Sequence, residues 1–237
     1  MNRKLMVTTH KRPFRNTNAM QLFYKRIRLS IRSVTSASRM PEFFVDLKQL
    51  RKQLRHQRRG LNKFQQKQAE QASLNRLIRL AEFQHAQHIG IYLHAFGEIH
   101  TQKIIEYCFA HGKAVYLPLI CNMNQRLQWV RISQHQFRTQ RFAPHRLGMR
   151  EPMRARGLHI SHLDLVLMPL LACDTTGTRI GMGGGFYDKT LASAIQRPFR
   201  LGLAHEFQLY KSCLKREKWD QPLDALLTSQ RILRFKR

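Results

Sequence analysis

Four glycines within five positions form the feature of this chain that is best suited to chemistry. They lie in the segment from Arg179 to Asp188 (RIGMGGGFYD), after a long apolar run and before a predicted helix. Because glycine lacks a Cβ, successive backbone N–H groups can turn toward one point and hold an anion such as phosphate. The spacing matches neither GxGxxG nor a P-loop, since no Gly-Lys-Ser/Thr triplet closes it. The segment predicts a phosphate-binding loop of another type, the alternative being a structural turn.

The elements around this loop indicate an α/β protein. Residues 163–171 (LDLVLMPLL) are almost continuously apolar, as in strands buried on both faces. Further strands are predicted at 88–93, 114–120, 127–132, 200–204 and 223–228, and helices at 65–83, 102–111 and 186–195. The alternation predicts a single domain with a largely parallel central sheet flanked by helices, with ligands at the carboxyl ends of the strands.

The first helix of this domain is predicted to be amphipathic with a basic flank. Its apolar positions recur every three or four residues, at Phe43, Leu47, Leu50 and Leu54. Arg51, Arg55 and Arg58 line an adjacent stripe.

The positive charge is concentrated at the start of the chain. The formal net charge is +28, yet residues 1–39 contain ten Lys or Arg and no acidic residue. This composition predicts a disordered basic leader, separate from a domain at residues 40–237. Three origins are open: a tail that contacts RNA, an organelle transit peptide, or upstream sequence in frame before a start at Met40, which we favour.

The cysteines and histidines predict neither a disulfide framework nor a zinc site. The four cysteines are scattered without a CxxC pair, which favours a reducing, cytoplasmic setting. His85 and His88 lack further ligands at suitable spacing. The longest apolar run is about half of the roughly 20 residues that a transmembrane helix needs, so no membrane span is predicted.

Six segments together carry a resemblance to one enzyme family. The main one is DLVLMPLLACDTTGTRIGMGGGFYDKTL at 164–191. The others are KQLR at 48–51, YLHAFGEIHT at 92–101, VYLPLI at 115–120, LGMREP at 147–152 and WDQPLDALLT at 219–228. In this order, over roughly residues 46 to 230, the chain resembles the 5-formyltetrahydrofolate cyclo-ligase family.

The resemblance implies an ATP-dependent enzyme that converts 5-formyltetrahydrofolate to 5,10-methenyltetrahydrofolate. Its expected partners are the folate, which can carry a polyglutamate tail, ATP and Mg²⁺. No membrane partner is expected, nucleic acid is expected only through the leader, and the expected state is a monomer.

The resemblance also implies roles for residues at matching positions. The catalytic residues would be Glu98, Arg179 and Tyr187. The ATP site would comprise Lys48, Arg51, Arg179, Ile180, Gly181, Met182, Gly183, Gly184, Gly185, Phe186 and Tyr187. The folate site would comprise Leu93, Glu98, Met182, Gly183, Gly184, Gly185 and Phe186. Asp188 and Asp220 would bind Mg²⁺.

Two positions depart from the family pattern. Lys48 lies three residues before Arg51, whereas many members have a spacing of four. Trp219 stands where many members have His before the aspartate equivalent to Asp220. The match to the family pattern is therefore weaker for Lys48 as an ATP ligand and for Asp220 as a metal ligand than for the other residues.

A different class of function, RNA binding, is the main alternative. The basic leader and the arginines between Arg51 and Arg59 would supply the positive charge. Binding of single-stranded RNA also needs stacking aromatic residues, and residues 48–59 contain none.

Overall fold

The computed structural model describes residues 46–153 and 156–236. The expectations for the leader and for Phe43 lie outside these residues. Within them, the α-helices are α1 (Leu47–Arg59), α2 (Lys63–Leu77), α3 (Ala81–His85), α4 (Gln102–Ala110), α5 (Gln134–Arg138) and α6 (Phe186–Leu191). The strands are β1 (His88–Gly90), β2 (Ala114–Ile120), β3 (Leu127–Ile132), β4 (Phe142–Pro144), β5 (Arg150–Pro152), β6 (Leu165–Pro169), β7 (Ala172–Cys173), β8 (Arg179–Ile180), β9 (Phe199–Leu203), β10 (Ala225–Leu227) and β11 (Ile232–Arg234).

Seven of these strands form one central sheet in the order β11-β10-β9-β6-β1-β2-β3. The five inner strands, from β10 to β2, pair in parallel, and only β11 and β3 pair antiparallel at the two edges. The chain leaves β1 toward β2 on one side and leaves β6 toward β9 on the other. The two adjacent strands β1 and β6 therefore form a topological switch point, where α/β sheets bind their ligands.

Alternating side chains of the central strands build a core on each face of the sheet. Leu165 and Leu167 of β6 pack on one face with residues of α2, α3 and α4. Val166 and Met168 pack on the other face against the Trp129 side chain and α6. Burial on both faces explains why this strand is apolar without a break, and the predicted single α/β domain with a largely parallel sheet is confirmed.

Helix α1 packs on the short hairpin formed by β7 and β8. Leu54 of α1 is buried in a cluster with Leu171, Ala172 and Ile180. The Asp46 side chain caps the helix by accepting hydrogen bonds from the backbone N–H groups of Lys48 and Gln49. The packing of Leu54 on the hairpin sets α1 beside the glycine loop, which directly follows β8.

The strand predicted at 223–228 is found only at Ala225–Leu227, and three further elements are shorter or more divided than expected. The helix predicted at 65–83 is interrupted after Leu77, because Leu80 turns to an extended conformation and buries its side chain in the core. The strand predicted at 88–93 ends at Gly90, where the chain leaves the sheet. The helix predicted at 186–195 ends at Leu191, and after it the guanidinium of Arg200 donates hydrogen bonds to the carbonyls of Ala194 and Ile195.

A buried aspartate shapes the hairpin that presents Arg179. Asp174 is fully buried, and its Oδ1 accepts hydrogen bonds from both N–H and O–H of Thr176 and from the N–H of Thr178. Its Oδ2 accepts a hydrogen bond of 2.8 Å from the N–H of Leu214. One carboxylate thus fixes the turn between β7 and β8 and anchors the segment around Leu214 to it.

Replacing this carboxylate should destabilise the whole domain. Asp174→Ala leaves four donors without their acceptor, and each buried unsatisfied donor costs about 1 to 3 kcal/mol unless water replaces the partner. We expect the free energy of unfolding in urea to fall by more than about 3 kcal/mol. The matched control is Thr175→Ala at the exposed neighbouring position, which should change it by less than about 0.5 kcal/mol. Equal unfolding midpoints for the two variants would contradict this role.

Candidate functional site

The glycine loop, residues 181–185, connects β8 to α6 at the carboxyl edge of the sheet. Gly183 has φ of 107° and Gly185, the N-cap of α6, has φ of 64°. Other residues rarely adopt these conformations, so glycine is required at both positions. The loop is exposed from Met182 to Gly184, whereas the preceding Ile180 is buried. The predicted loop is therefore accessible to a ligand while its base is fixed in the core.

Glycine is needed at position 184 for a different reason. A Cβ on Gly184 would lie 2.4 Å from Cε2 of Phe186. The half-buried Phe186 ring thus lies against the loop and packs on the core below it. The loop conformation and the start of α6 are fixed by the same contact.

Charged side chains surround the loop from two sides. Arg51 on α1 donates a hydrogen bond of 3.2 Å from Nε to the carbonyl of Gly181. Arg179, two residues before Gly181, forms an ion pair of 2.7 Å with Asp188, which follows the loop, and lies 5.6 Å from the ring centroid of Tyr187. The Arg179 side chain is 4% exposed, and its Nε has no hydrogen-bond partner among the described residues. A buried cation with a spare donor is suited to an anionic ligand.

Asp220, the second residue predicted to bind the metal, lies on a segment that contacts Asp188, the first. Oδ1 of Asp188 also accepts a hydrogen bond of 3.0 Å from the N–H of Gln221, the residue after Asp220. The Asp220 carboxylate itself accepts a hydrogen bond from the N–H of Glu217. The side chain of Trp219, which precedes Asp220, is 68% exposed. The two carboxylates therefore belong to adjoining segments, but the structure contains no direct contact between them.

The other part of the site is a tight turn after β1. Phe96 and Gly97 have φ of 52° and 77°, and the N–H of Glu98 donates to the carbonyl of Ala95, as in a type I′ turn. A left-handed conformation costs an aromatic residue roughly 1 kcal/mol, and such strain is concentrated at functional sites. Oε2 of Glu98 accepts a hydrogen bond of 3.0 Å from the N–H of Ala95. The turn thus fixes its own carboxylate.

Neighbouring elements hold this turn through Gly97. A Cβ at Gly97 would lie 2.4 Å from the carbonyl oxygen of Arg58, so α1 approaches the turn as closely as a glycine permits. The carbonyl of Gly97 accepts hydrogen bonds from Nε2 of Gln66 and Nε2 of His205. Burial lowers the pKa of His205 to about 4, so its ring is neutral near pH 7. Behind the turn, Thr101 donates a hydrogen bond of 2.8 Å to the carbonyl of Tyr92.

The Glu98 carboxylate is buried beside one cation. Its side chain is 11% exposed, and Oε1 lies 3.6 Å from Nη1 of Arg58. Burial raises the pKa of Glu98 to about 7, although Arg58 and the N–H of Ala95 act in the opposite direction. Burial, together with the negative charge of Glu98, also raises the pKa values of Tyr92 and Tyr187 above their usual range. The pKa of Tyr187 thus responds to both Glu98 and Arg179.

The structure brings most of the predicted residues together, with two exceptions. Met182 approaches the Glu98 region, since its Sδ lies 4.0 Å from Nη2 of Arg58. Leu93 packs at the edge of the core just before the turn. Lys48 is exposed on α1, and its ammonium group makes no hydrogen bond or ion pair with the described residues. The other exception is Asp220, whose carboxylate caps its own turn.

Arg58 is the site residue that the sequence reasoning missed. The basic flank predicted for α1 includes Arg58 without a role in the site, yet its side chain is only 1% exposed. The available signal was its spacing of seven residues from Arg51, which puts both arginines on one face of α1. That spacing also occurs on solvated helices, so it could not reveal the burial.

Two negative findings concern membranes and metals. No helix in residues 46–153 or 156–236 is long and apolar enough to cross a membrane. In the same part of the chain, no group of three or more His, Cys, Asp or Glu side chains converges on one point.

The buried state of Glu98 predicts a specific pH dependence of stability. Since its pKa is about 7 in the folded protein and near 4.5 when unfolded, ionisation disfavours the folded state as pH rises from about 5 to 7. Glu98→Gln removes this term. We therefore expect the free energy of unfolding of Glu98→Gln, minus that of the parent protein, to increase by about 1 to 3 kcal/mol from pH 5 to pH 8. The variant thus becomes more stable relative to the parent as pH rises.

The control for this measurement is Glu106→Gln, at an exposed position. Its difference from the parent protein should stay constant over the same pH range. If the curves of Glu98→Gln and the parent also run parallel from pH 5 to pH 8, the Glu98 carboxylate is not held in a desolvated state.

Comparisons with known proteins give one consistent result. The model of the 5-formyltetrahydrofolate cyclo-ligase family matches residues 45–229. A protein of Haemophilus influenzae named 5-formyltetrahydrofolate cyclo-ligase is 34% identical over 189 residues, covering 76% of this chain and 95% of that protein. The protein of the same name from Escherichia coli K12 is 34% identical over 182 residues, covering 76% and 98%.

Solved structures share the fold. The Aquifex aeolicus 5,10-methenyltetrahydrofolate synthetase aligns with a TM-score of 0.67 at 24% identity, covering 81% of this chain and 93% of that one. A 5,10-methenyltetrahydrofolate synthetase from Mycoplasma pneumoniae aligns with a TM-score of 0.61 at 18% identity, covering 78% and 99%. With the family match and the 34% identical relatives, these findings show that the chain belongs to the 5-formyltetrahydrofolate cyclo-ligase family.

Proposed function

We propose that the protein uses ATP to close 5-formyltetrahydrofolate to 5,10-methenyltetrahydrofolate, releasing ADP and phosphate. The observation that carries the proposal is the placement of a glycine loop and a buried carboxylate against the two ends of one helix. Arg51, near the start of α1, contacts Gly181, and Arg58, near its end, contacts Glu98. Two ligands bound at these two places would meet at the switch point between β1 and β6.

The glycine loop is proposed to bind the polyphosphate of ATP. Its exposed backbone between Met182 and Gly184 supplies N–H donors, and Arg51 and Arg179 supply positive charge from both sides. The spare Nε donor of Arg179 supports the same role. Lys48 lies one turn before Arg51 on α1 and would reach the nucleotide only by moving its exposed side chain.

Asp188 and Asp220 are proposed to hold Mg²⁺ together with the phosphates. Magnesium often takes only one or two carboxylates when phosphate oxygens and waters complete its octahedron. Asp188 is half-buried and fixed by Arg179 and Gln221, and Asp220 directly precedes Gln221, so the donor set fits this use. The ion would neutralise charge on the β- and γ-phosphates.

Glu98 is proposed to anchor the folate. A desolvated carboxylate binds a pair of N–H donors strongly, and the pterin ring offers such donors on its amide edge. Leu93, Met182, Phe186 and Tyr187 would provide the apolar and aromatic surface around the ring. This arrangement would leave the N5 formyl group directed toward the glycine loop.

The proposed reaction has two steps. In the first, the formyl oxygen attacks the γ-phosphorus, the bond to the ADP oxygen breaks, and the formyl carbon becomes part of an imidate phosphate at N5. In the second, N10 attacks this carbon and loses its proton, while the carbon–oxygen bond breaks and phosphate leaves. The enzyme acts by alignment and by stabilising charge on the transferred phosphoryl group, to which Arg179 and the adjacent Tyr187 phenol would contribute.

The described residues give no support to the RNA-binding alternative. Arg51 is engaged with Gly181, and Arg58 is buried, so two of the arginines on which that alternative relied do not face solvent freely. A monomeric state, a cytoplasmic location, and a catalytic domain at residues 40–237 independent of the leader remain predictions.

The role of Glu98 can be tested by measuring the two ligands separately. Glu98→Ala removes the polar anchor of the folate, and losing a charged hydrogen-bond partner costs about 1.5 to 3 kcal/mol. We expect binding of 5-formyltetrahydrofolate, or turnover at low folate, to fall about 10- to 100-fold. The affinity for ATP, measured by calorimetry in the same protein, should change less than about threefold.

The reciprocal control is Gly183→Ala. Its Cβ meets no atom within 4 Å, so the change acts only through the disfavoured φ of 107°. It should weaken ATP binding about five- to tenfold, corresponding to roughly 1 to 1.4 kcal/mol of backbone strain, and should weaken folate binding less, because the Glu98 anchor is unchanged. Equal losses of both ligands in Glu98→Ala would instead indicate a structural role for Glu98.

A further inference from the structure

Two arginines on one face of α1 contact the two halves of the candidate site. Arg51 and Arg58 are seven residues apart, which is about two turns or 10 Å along the helix. Arg51 binds the carbonyl of Gly181 at the start of the glycine loop. Arg58 reaches Met182 of the same loop and also Glu98 of the turn after β1. It is therefore in contact with both proposed ligand sites at once.

Every nitrogen of the Arg58 guanidinium has a neighbour that fixes its direction. Nε donates a hydrogen bond of 2.9 Å to the carbonyl of Phe96, and Nη1 donates one of 3.3 Å to the carbonyl of Leu170. Nη1 also lies 3.6 Å from Oε1 of Glu98, and Nη2 lies 4.0 Å from Sδ of Met182. The group thus joins the loops that follow β1 and β6.

The backbone of α1 contacts the same turn. The carbonyl oxygen of Arg58 lies only 2.4 Å from the position that a Cβ on Gly97 would take, so the helix and the turn are in close backbone contact. A planar guanidinium with several donors is suited to a fixed geometry of this kind, whereas an ammonium group is not.

We propose that Arg58 is a positioning residue that pairs with the Glu98 carboxylate and directs it toward the space beside the glycine loop. This inference rests on the proposed role of Glu98 in folate binding. Arg58 is not required to touch either ligand, because it acts through Glu98, the carbonyl of Phe96 and Met182. The two proposed binding sites are thereby held at one fixed separation.

The charged and titratable groups around Glu98 determine the expected pH effect. From α1 it faces Arg58, with Arg55 and Arg59 acting on Arg58 in turn. Tyr92 and Tyr187 face it from the other elements, and the charges of Arg58 and His100 lower the pKa of His205. Among these, Arg58 is the group that lowers the pKa of Glu98, which burial has raised to about 7. Removing Arg58 would therefore raise the pKa of Glu98 further.

The test compares pH profiles of Arg58→Met with those of the parent protein. Methionine keeps the length of the buried side chain but removes the charge and the donors. We expect the acidic limb of kcat/KM for 5-formyltetrahydrofolate, at saturating ATP, to move to higher pH by at least about one unit. At pH 7.5 the value should fall at least about threefold, while KM for ATP stays within about a factor of two of the parental value.

Three further variants make the result specific. Lys52→Met removes an exposed charge from the same helix and should leave the limb unchanged. Arg58→Lys keeps the charge but loses the fixed donors, so its limb should stay near that of the parent while KM for the folate rises. In a Glu98→Gln background the limb should be absent, and adding Arg58→Met should have no further effect on pH dependence.

The outcomes separate failure of this inference from failure of the proposed function. If Glu98→Gln leaves folate turnover unchanged at every pH, the proposed role of Glu98 is wrong. If Glu98→Gln impairs turnover but folded Arg58→Met, verified by thermal melting, keeps the parental limb, the positioning role is overturned. If Arg58→Met does not fold, Arg58→Lys decides, and an unchanged KM for the folate in that variant overturns the inference.

Discussion

The ion pair between Arg58 and Glu98 is the interaction on which the candidate site depends. Both side chains are buried, at 1% and 11% exposure, so neither charge is stabilised by bulk water. A buried pair contributes little net stability, but removing one partner leaves the other charge uncompensated at a cost of about 3 to 5 kcal/mol. The protein therefore keeps two desolvated charges at the meeting point of three segments. This cost is consistent with a role in function more than in folding.

The topology of the sheet explains why these charges meet. Strands β1 and β6 are adjacent and parallel, and the chain leaves them in opposite directions. Their following loops, which carry Glu98 and the glycine loop, therefore open side by side at the carboxyl edge. Helix α1 lies across both loops because Leu54 is buried against the β7–β8 hairpin. The apolar contacts place the helix, and its two arginines then connect the loops.

Sequence reasoning predicted the scaffold better than the contacts within the site. The apolar run at 163–171 and the glycine segment after it indicated a buried strand and a ligand loop, because both patterns depend on local chain properties. The break before Leu80 was missed, since it is made by burial of that side chain in a distant core. Arg58 was missed for the same reason: its sequence neighbours are basic and polar, and only the approach of Gly97 and Phe96 buries it.

In the proposed function, one site couples cleavage of ATP to ring closure of the folate. The most direct measurement follows the absorbance of 5,10-methenyltetrahydrofolate after the protein is mixed with 5-formyltetrahydrofolate, Mg²⁺ and ATP, while released phosphate is quantified in parallel. We expect one phosphate to be released for each molecule of 5,10-methenyltetrahydrofolate formed, and no product to form without ATP. Phosphate release that is independent of the folate, or no ATP-dependent rise in the methenyl absorbance, would contradict it.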